Sequence, residues 1–345
     1  MKRPPLLLFV FCLFLSSCAP KGPSTLTLMT HDDFYSSEGV IAEFEQQNNV
    51  KVTFLKGGSV SEALNKAILT RDAPLADVFY GVDNTFLSRA LDADIYEPYA
   101  SPLLAHIPGE FKLDARNHLL PVDHGYTCVN YDKSFLAAHS LPAPVTLEDL
   151  LKPEFKGMLV VENPATSSTG LTFLLATVAH FGDPGYLDYW RALRENGLVV
   201  VDDWGTAYWM NFSGSSGHGP QPMVVSYASS PAAEVVSANP PVTEAPTTAM
   251  LGPGTCFHQI EFVGILKGTK HLALAEKFVD FMLGQQFQED MPLQMYVYPV
   301  NPAARLPEVF NQYTQVPDLP AVIDQAVIAA SRDQWVQAWT QTVLH

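Results

Sequence analysis

The chain has 345 residues, with 36 acidic against 20 basic side chains and a formal charge of −16 at neutral pH. That balance disfavours nucleic acid and anionic lipid faces as partners and mildly favours cationic solutes, although plain solubility explains it equally well. Such a length is long for a single hydrophobic core and comfortable for two.

The first element is a leader. Lys2 and Arg3 precede an apolar run over 6–15 that ends in Leu15-Ser16-Ser17-Cys18. A basic start, a short apolar core and a small-residue site make an export signal. The run is too short to span a bilayer, which needs about 20 apolar residues. Leu-Ser-Ser-Cys resembles the bacterial lipobox. The resemblance implies a signal peptide over 1–17, a diacylated Cys18 as mature N-terminus, and an extracytoplasmic protein anchored to a membrane. The alternative is an ordinary cleaved signal with an incidental Cys. Residues 18–24 read as a tether. Loss of the signal removes Lys2 and Arg3 and leaves 18 basic against 36 acidic residues.

The rest of the chain alternates strand and helix. Strands are predicted at 26–29, 50–55 and 76–80, the last followed by a turn at Gly81. Helices are predicted at 38–47 and 59–69, with Ser59 or Ser61 as cap. The middle of the chain alternates in the same way. It has strand 126–131, short helix 146–151, strand 157–161, helices 171–181 and 184–195, strand 198–201, a helix start at 205–212 and strand 222–227. Segments 212–222 and 237–253 are irregular by their Gly, Ser, Pro and Thr content. A strand over 259–265 and helices over 272–283 and 321–344 complete the pattern.

This alternation argues for α/β units on a mainly parallel sheet. Two lobes joined by crossover strands at 126–131 and 257–265 are the natural sum, with a ligand cleft between them. The expected division is lobe 1 from 25–125 plus 262–300, lobe 2 from 126–261, and C-terminal helices over 301–345 packed across both.

Enzyme signatures are missing: the sequence has no Gly-x-Gly-x-x-Gly, Walker loop, His-Glu-x-x-His or Gly-x-Ser-x-Gly. An extracellular hydrolase is therefore the weaker reading. His31, His124, His258 and His218 lie near candidate cleft loops, and none pairs at metal-ligand spacing. With Cys12 in the signal and Cys18 lipidated, Cys128 and Cys256 remain. Both fall in predicted strands, and their spacing leaves a disulfide and two buried thiols both open.

Several loops after strands are rich in Asp, Gly and aromatic residues: Thr30-His31-Asp32-Asp33-Phe34, "ADVFYGVDN" at 76–84, "VDHGYTCVNYDK" at 122–133, Thr166-Ser167-Ser168-Thr169-Gly170, "WGTAYWM" at 204–210, Ser226-Tyr227-Ala228-Ser229-Ser230-Pro231 and "YPV" at 298–300. In this order, from about residue 26 to the C-terminus, they resemble bacterial periplasmic thiamine-binding proteins, the solute receptors of thiamine ABC importers. The resemblance implies a type II periplasmic-binding-protein fold. It also implies thiamine or its phosphates as transported ligand with no cofactor, partnership with an ABC permease and its ATPase, and a monomer that does no chemistry. Rival cargoes are ferric iron, for which the usual adjacent tyrosines are missing, a polyamine, or a pyrimidine precursor.

A flat ring bearing a fixed positive charge calls for aromatic faces and carboxylates. Trp204, Tyr227 and Tyr296 are the aromatics expected in the cleft, and Asp32, Asp83 and Asp123 the charge partners. Core packing and turn capping are their plainer roles. Ser167, Ser168 and Thr169 open a predicted helix, where the resemblance implies contact with ligand phosphate and a simple cap is the alternative. Two departures stand out from the resembled pattern. His31 and Tyr296 replace an aromatic and a Trp, and the 212–222 loop is longer.

Overall fold

Short runs of β-branched and aromatic residues, separated by amphipathic stretches, fold as alternating strands and helices. The computed structural model describes residues 24–215 and 218–345; the expected export signal and Cys18 lie outside them. The chain begins β1 (Ser24–Thr30), α1 (Glu38–Asn48), β2 (Val50–Lys56), α2 (Val60–Leu69), β3 (Val78–Asp83), α3 (Leu87–Asp92) and β4 (Tyr96–Glu97). It continues through β5 (Leu120–Asp132), α4 (Lys133–Ala138), β6 (Leu159–Glu162), α5 (Ser168–Phe181), α6 (Gly185–Glu195), β7 (Val199–Val201) and β8 (Met223–Tyr227). It ends with α7 (Ser230–Ser237), β9 (Thr247–Ala249), β10 (Phe257–Leu266), α8 (Leu272–Leu283), α9 (Gln285–Gln294), β11 (Tyr298–Pro299), α10 (Glu308–Tyr313) and α11 (Gln325–Val343). No helix among the described residues is long and apolar enough to cross a membrane.

The strands form one sheet in the order β2-β1-β3-β10-β5-β8-β6-β7. Parallel wings, β2-β1-β3 and β8-β6-β7, flank the antiparallel pair β10 and β5. Both central strands pass from one wing to the other. β10 pairs with β3 over Glu261 to Ile265, while β5 pairs with β8 over Thr127 to Tyr131. This is the two-lobed α/β architecture of type II periplasmic binding proteins, with the cleft opening over the β5–β10 crossover.

The sheet is mixed rather than mainly parallel, because both crossover strands pair antiparallel with their neighbours. Two further expectations from sequence need correction, and both corrections build the cleft floor. Gly81 is not a turn. It lies inside β3 at φ 110°, where the β3–β10 register slips between Phe262 and Val263. A bulge residue with positive φ favours glycine, and a Cβ here would come within 2.5 Å of the His31 ring. Likewise β5 starts at Leu120, before the expected 126. Pro121, Asp123 and Gly125 read as loop residues, but a second register slip, between Glu261 and Phe262, accommodates them within the strand.

Local signals set the helix ends. Ser59 caps α2 in a full capping box with Glu62, which settles the choice against Ser61. Helix α5 is apolar on every side and buried from Ser168 to Val178, so it packs between the sheet and α6 rather than facing water. Helix α11 touches both halves. Arg332 lies 4.2 Å over the Phe86 ring beside α3, and Trp339 meets Trp190 of α6 edge-on with ring centroids 5.4 Å apart. Cys128 of β5 and Cys256, just before β10, are joined as a disulfide that ties the crossover strands together.

Candidate functional site

The cleft floor is acidic because the crossover strands alternate. Asp123 and Gly125 of β5, and Gln259 and Glu261 of β10, point to one face, with Glu261 directly opposite Asp123 in the ladder. Tyr80 of β3 donates to Asp123 Oδ2 at 2.6 Å and lies 3.3 Å from Glu261 Oε2. Burial pushes the Asp123 carboxyl up to about 7 and the Glu261 carboxyl well above its ordinary value. His31 Nε2 stands 3.6 Å from Glu261 Oε1 with no hydrogen-bond partner. Burial first, then the Lys56 charge, lowers its pKa to about 4, so His31 is neutral near pH 7.

Asp83, at the end of β3, is fully buried. Its Oδ1 accepts from Thr85 N at 2.8 Å and Thr85 Oγ1 at 2.6 Å; its Oδ2 accepts from Gln259 Nε2 at 3.0 Å and from Ser168 Oγ across the cleft. Burial raises the Asp83 pKa, and Thr85 and Arg332 oppose the shift. The two halves also meet where Ser61 Oγ donates to Thr166 O at 3.4 Å. Asp33 faces Asp203 at the rim; loss of surrounding water and then that like charge raise the Asp33 pKa.

Ser167 serves as the α5 cap, accepting from Gly170 N at 3.4 Å and lying 2.9 Å from Thr169 Oγ1. Ser168 is committed to Asp83, and Thr169 is buried beside Glu162. Asp32 is exposed, and its Oδ1 accepts from Gly58 N at 2.9 Å, which closes the β1 and β2 loops together.

The aromatic wall stands on the β8 side. Trp204 Nε1 donates to Ser226 Oγ at 2.9 Å, and the indole stacks on Tyr208 with centroids 4.8 Å apart and planes at 16°. Tyr208 donates to Glu234 Oε1 at 2.6 Å. Tyr296, at φ 55°, accepts on its carbonyl from Ser229 Oγ and lies near Glu234. Tyr227 leans over Gly125, where any Cβ would come within 2.9 Å of its ring. Burial lifts the Tyr227 phenol well above its usual range, and Glu261, Asp83, Asp123 and Asp33 all add to it. The Tyr227 phenol therefore lies within reach of the charge of four carboxyl groups. That grouping of aromatic ring and carboxyls suits a flat cation.

With that geometry in view, the chain matches the bacterial extracellular solute-binding protein family model over residues 73–319. The chain belongs to that family. It is 29% identical to the thiamine-binding periplasmic protein of Brucella suis over 93% of this chain and 92% of that one. It is 27% identical to the Escherichia coli protein of the same description, over 96% and 97%. A solved periplasmic thiamin binding protein superposes with a TM-score of 0.81 at 24% identity, covering 93% of this chain and 96% of that one. The apo ferric ion-binding protein A of Pasteurella haemolytica gives 0.75 at 18%, covering 92% and 98%. At these identities the superpositions establish the fold and leave cargo open. Like the rest of its family, this solute-binding protein is a receptor rather than an enzyme.

Sequence reading missed Tyr80, Glu162, Tyr208, Glu234, Gln259 and Glu261. The available signal was a polar side chain inside an apolar strand, as in "MLVVE" and "HQIEFVGIL". Glu162 shows what such burial does. It is fully buried at the end of β6, neither carboxyl oxygen has hydrogen-bond geometry to a partner, and burial pushes its pKa up to about 8. The folded pKa lies above the unfolded one, so folding stability falls as pH rises between them. The lowered pKa values of His31, His124 and His258 act in the opposite direction, but only below their ordinary 6.5. Ligand-free protein should therefore lose stability from pH 6.5 to 8, by up to about 1.4 kcal/mol per pH unit from Glu162. Urea unfolding across that range tests this. Glu162→Gln should flatten the fall; a wild type equally stable at both ends would contradict it.

Proposed function

We propose that this protein captures thiamine outside the cytoplasmic membrane and hands it to an ABC permease. A periplasmic solute-binding role in ABC import follows from the family; thiamine as cargo is our reading. The observation that carries it is the Asp123 and Glu261 pair bridged by Tyr80, with Tyr227 leaning over the neighbouring Gly125 beside the stacked Trp204 and Tyr208. The floor carboxyls provide acceptors for an exocyclic amine, and the aromatic wall provides a face for a charged ring. The named thiamine-binding relatives favour this cargo over iron or a sugar phosphate. Closure of the halves around the ring excludes water and strengthens these interactions. Anchoring through Cys18 belongs to the same proposal.

A competition titration separates the cargoes. Thiamine should bind with one-to-one stoichiometry, and excess spermidine should leave it bound. Displacement by spermidine, or a charge-transfer band on adding ferric iron with no thiamine binding, would reassign the cargo.

A further inference from the structure

We infer that binding of a cationic solute in this cleft expels a proton shared by Asp123 and Glu261, so that capture and proton release are a single event. This deepens the thiamine reading and rests on the cargo being a cation.

The two carboxyl groups face each other across the β5–β10 ladder, Asp123 fully buried and Glu261 5% exposed, with the Tyr80 hydroxyl between them. Two carboxylates held together away from water do not both ionise, so a proton or an outside cation must balance them. The surrounding elements supply no such cation. β3 contributes Tyr80 and Asp83, β8 contributes Tyr227, and the rim contributes Asp33. Among the described residues, His31 is the basic side chain within ion-pair reach of Glu261, and it is held neutral. Arg332 acts on Asp83, and Lys56 donates to the carbonyl of Asp32 at 2.8 Å. Without a cation from outside, the pair therefore keeps one proton.

Two orphaned polar atoms mark where a ligand replaces it. Asp123 Oδ1 is buried without a partner, and His31 Nε2, also without one, is aimed at Glu261. A cationic ring bearing an amino group supplies a donor for the Asp123 acceptor and the charge that balances a second carboxylate. The displaced proton passes to bulk buffer. The first ionisation of the pair falls near neutrality and burial holds the second higher, so the shared proton is in place at pH 6.5.

Calorimetric titration of the full protein with thiamine, in phosphate and in Tris at matched pH, counts the protons exchanged. Release of at least half a proton per thiamine bound is expected at pH 6.5. Asp123→Asn combined with Glu261→Gln removes both carboxyls, so release should vanish in the double variant, while Glu162→Gln should retain it. Thiamine binding whose heat is the same in both buffers at pH 6.5 overturns this inference and leaves the cargo standing. Undiminished release in the double variant overturns it too. If the double variant does not fold, the wild-type heats in the two buffers at pH 6.5 decide. Absence of any thiamine binding removes the cargo and this inference together.

Discussion

Replacing Cys128 and Cys256 together by alanine should lower the unfolding free energy by about 4 to 5 kcal/mol. The disulfide closes a loop between residues 128 positions apart, and constraining a loop of that order in the unfolded chain contributes about 4.7 kcal/mol. Native packing adds to this. Both sulfurs are fully buried with Ala228, against Leu251 and the Tyr126 ring. The bond also spans the crossover strands that carry Asp123 and Glu261, so its loss loosens the register on which the cleft floor depends. Guanidinium unfolding of oxidised wild type against the double variant measures the effect. A difference under about 1 kcal/mol would show that the crossover holds itself without the bond. Such a bond suits an exported protein, since disulfides persist in oxidising compartments.

Trp204→Ala should weaken thiamine binding by about 1–3 kcal/mol, or roughly five- to 150-fold, the worth of a stacked, partly desolvated cation–aromatic contact. The indole is held before any ligand arrives. One face lies on Tyr208, its N–H is tied to Ser226 Oγ, and Ser226 is braced at 2.8 Å by Ser230 Oγ. Preorganisation of this kind makes the ring's contribution large relative to its area. Trp204→Phe keeps an aromatic face but breaks the Ser226 bond, so it should fall between wild type and alanine. Dissociation constants from titration, checked against unchanged thermal unfolding, report the contact itself. An unaltered constant in Trp204→Ala would remove this residue from the ligand.

Much of the fold was legible because apolar periodicity is a local property. The α8 boundaries follow the apolar spacing, and β1, α1, β2 and α5 shift by only a few residues. What resisted reading was non-local. The early part of β5 looks like a loop because Pro121, Asp123 and Gly125 are poor strand formers, and only a bulge opposite β10 admits them. Helix α9 carries Pro292 inside it, and α7 begins in a Ser-Pro segment that reads as a turn. The rule of looking at loops after strands picked out Asp83 and Trp204, and also Asp123, which proved to lie within a strand. It passed over Tyr80 and Glu261, whose importance appears only once register brings residues 123 and 261 face to face. The disulfide was undecidable from spacing for the same reason.

A two-lobed receptor closing on a flat cation between an aromatic wall and an acidic floor must first of all bind that cation. The most direct measurement is an equilibrium titration of the wild-type protein with thiamine at neutral pH. Saturable binding of one thiamine per chain, undisturbed by spermidine, is the expected result. No saturable heat with thiamine, from a protein shown to be folded, would contradict it.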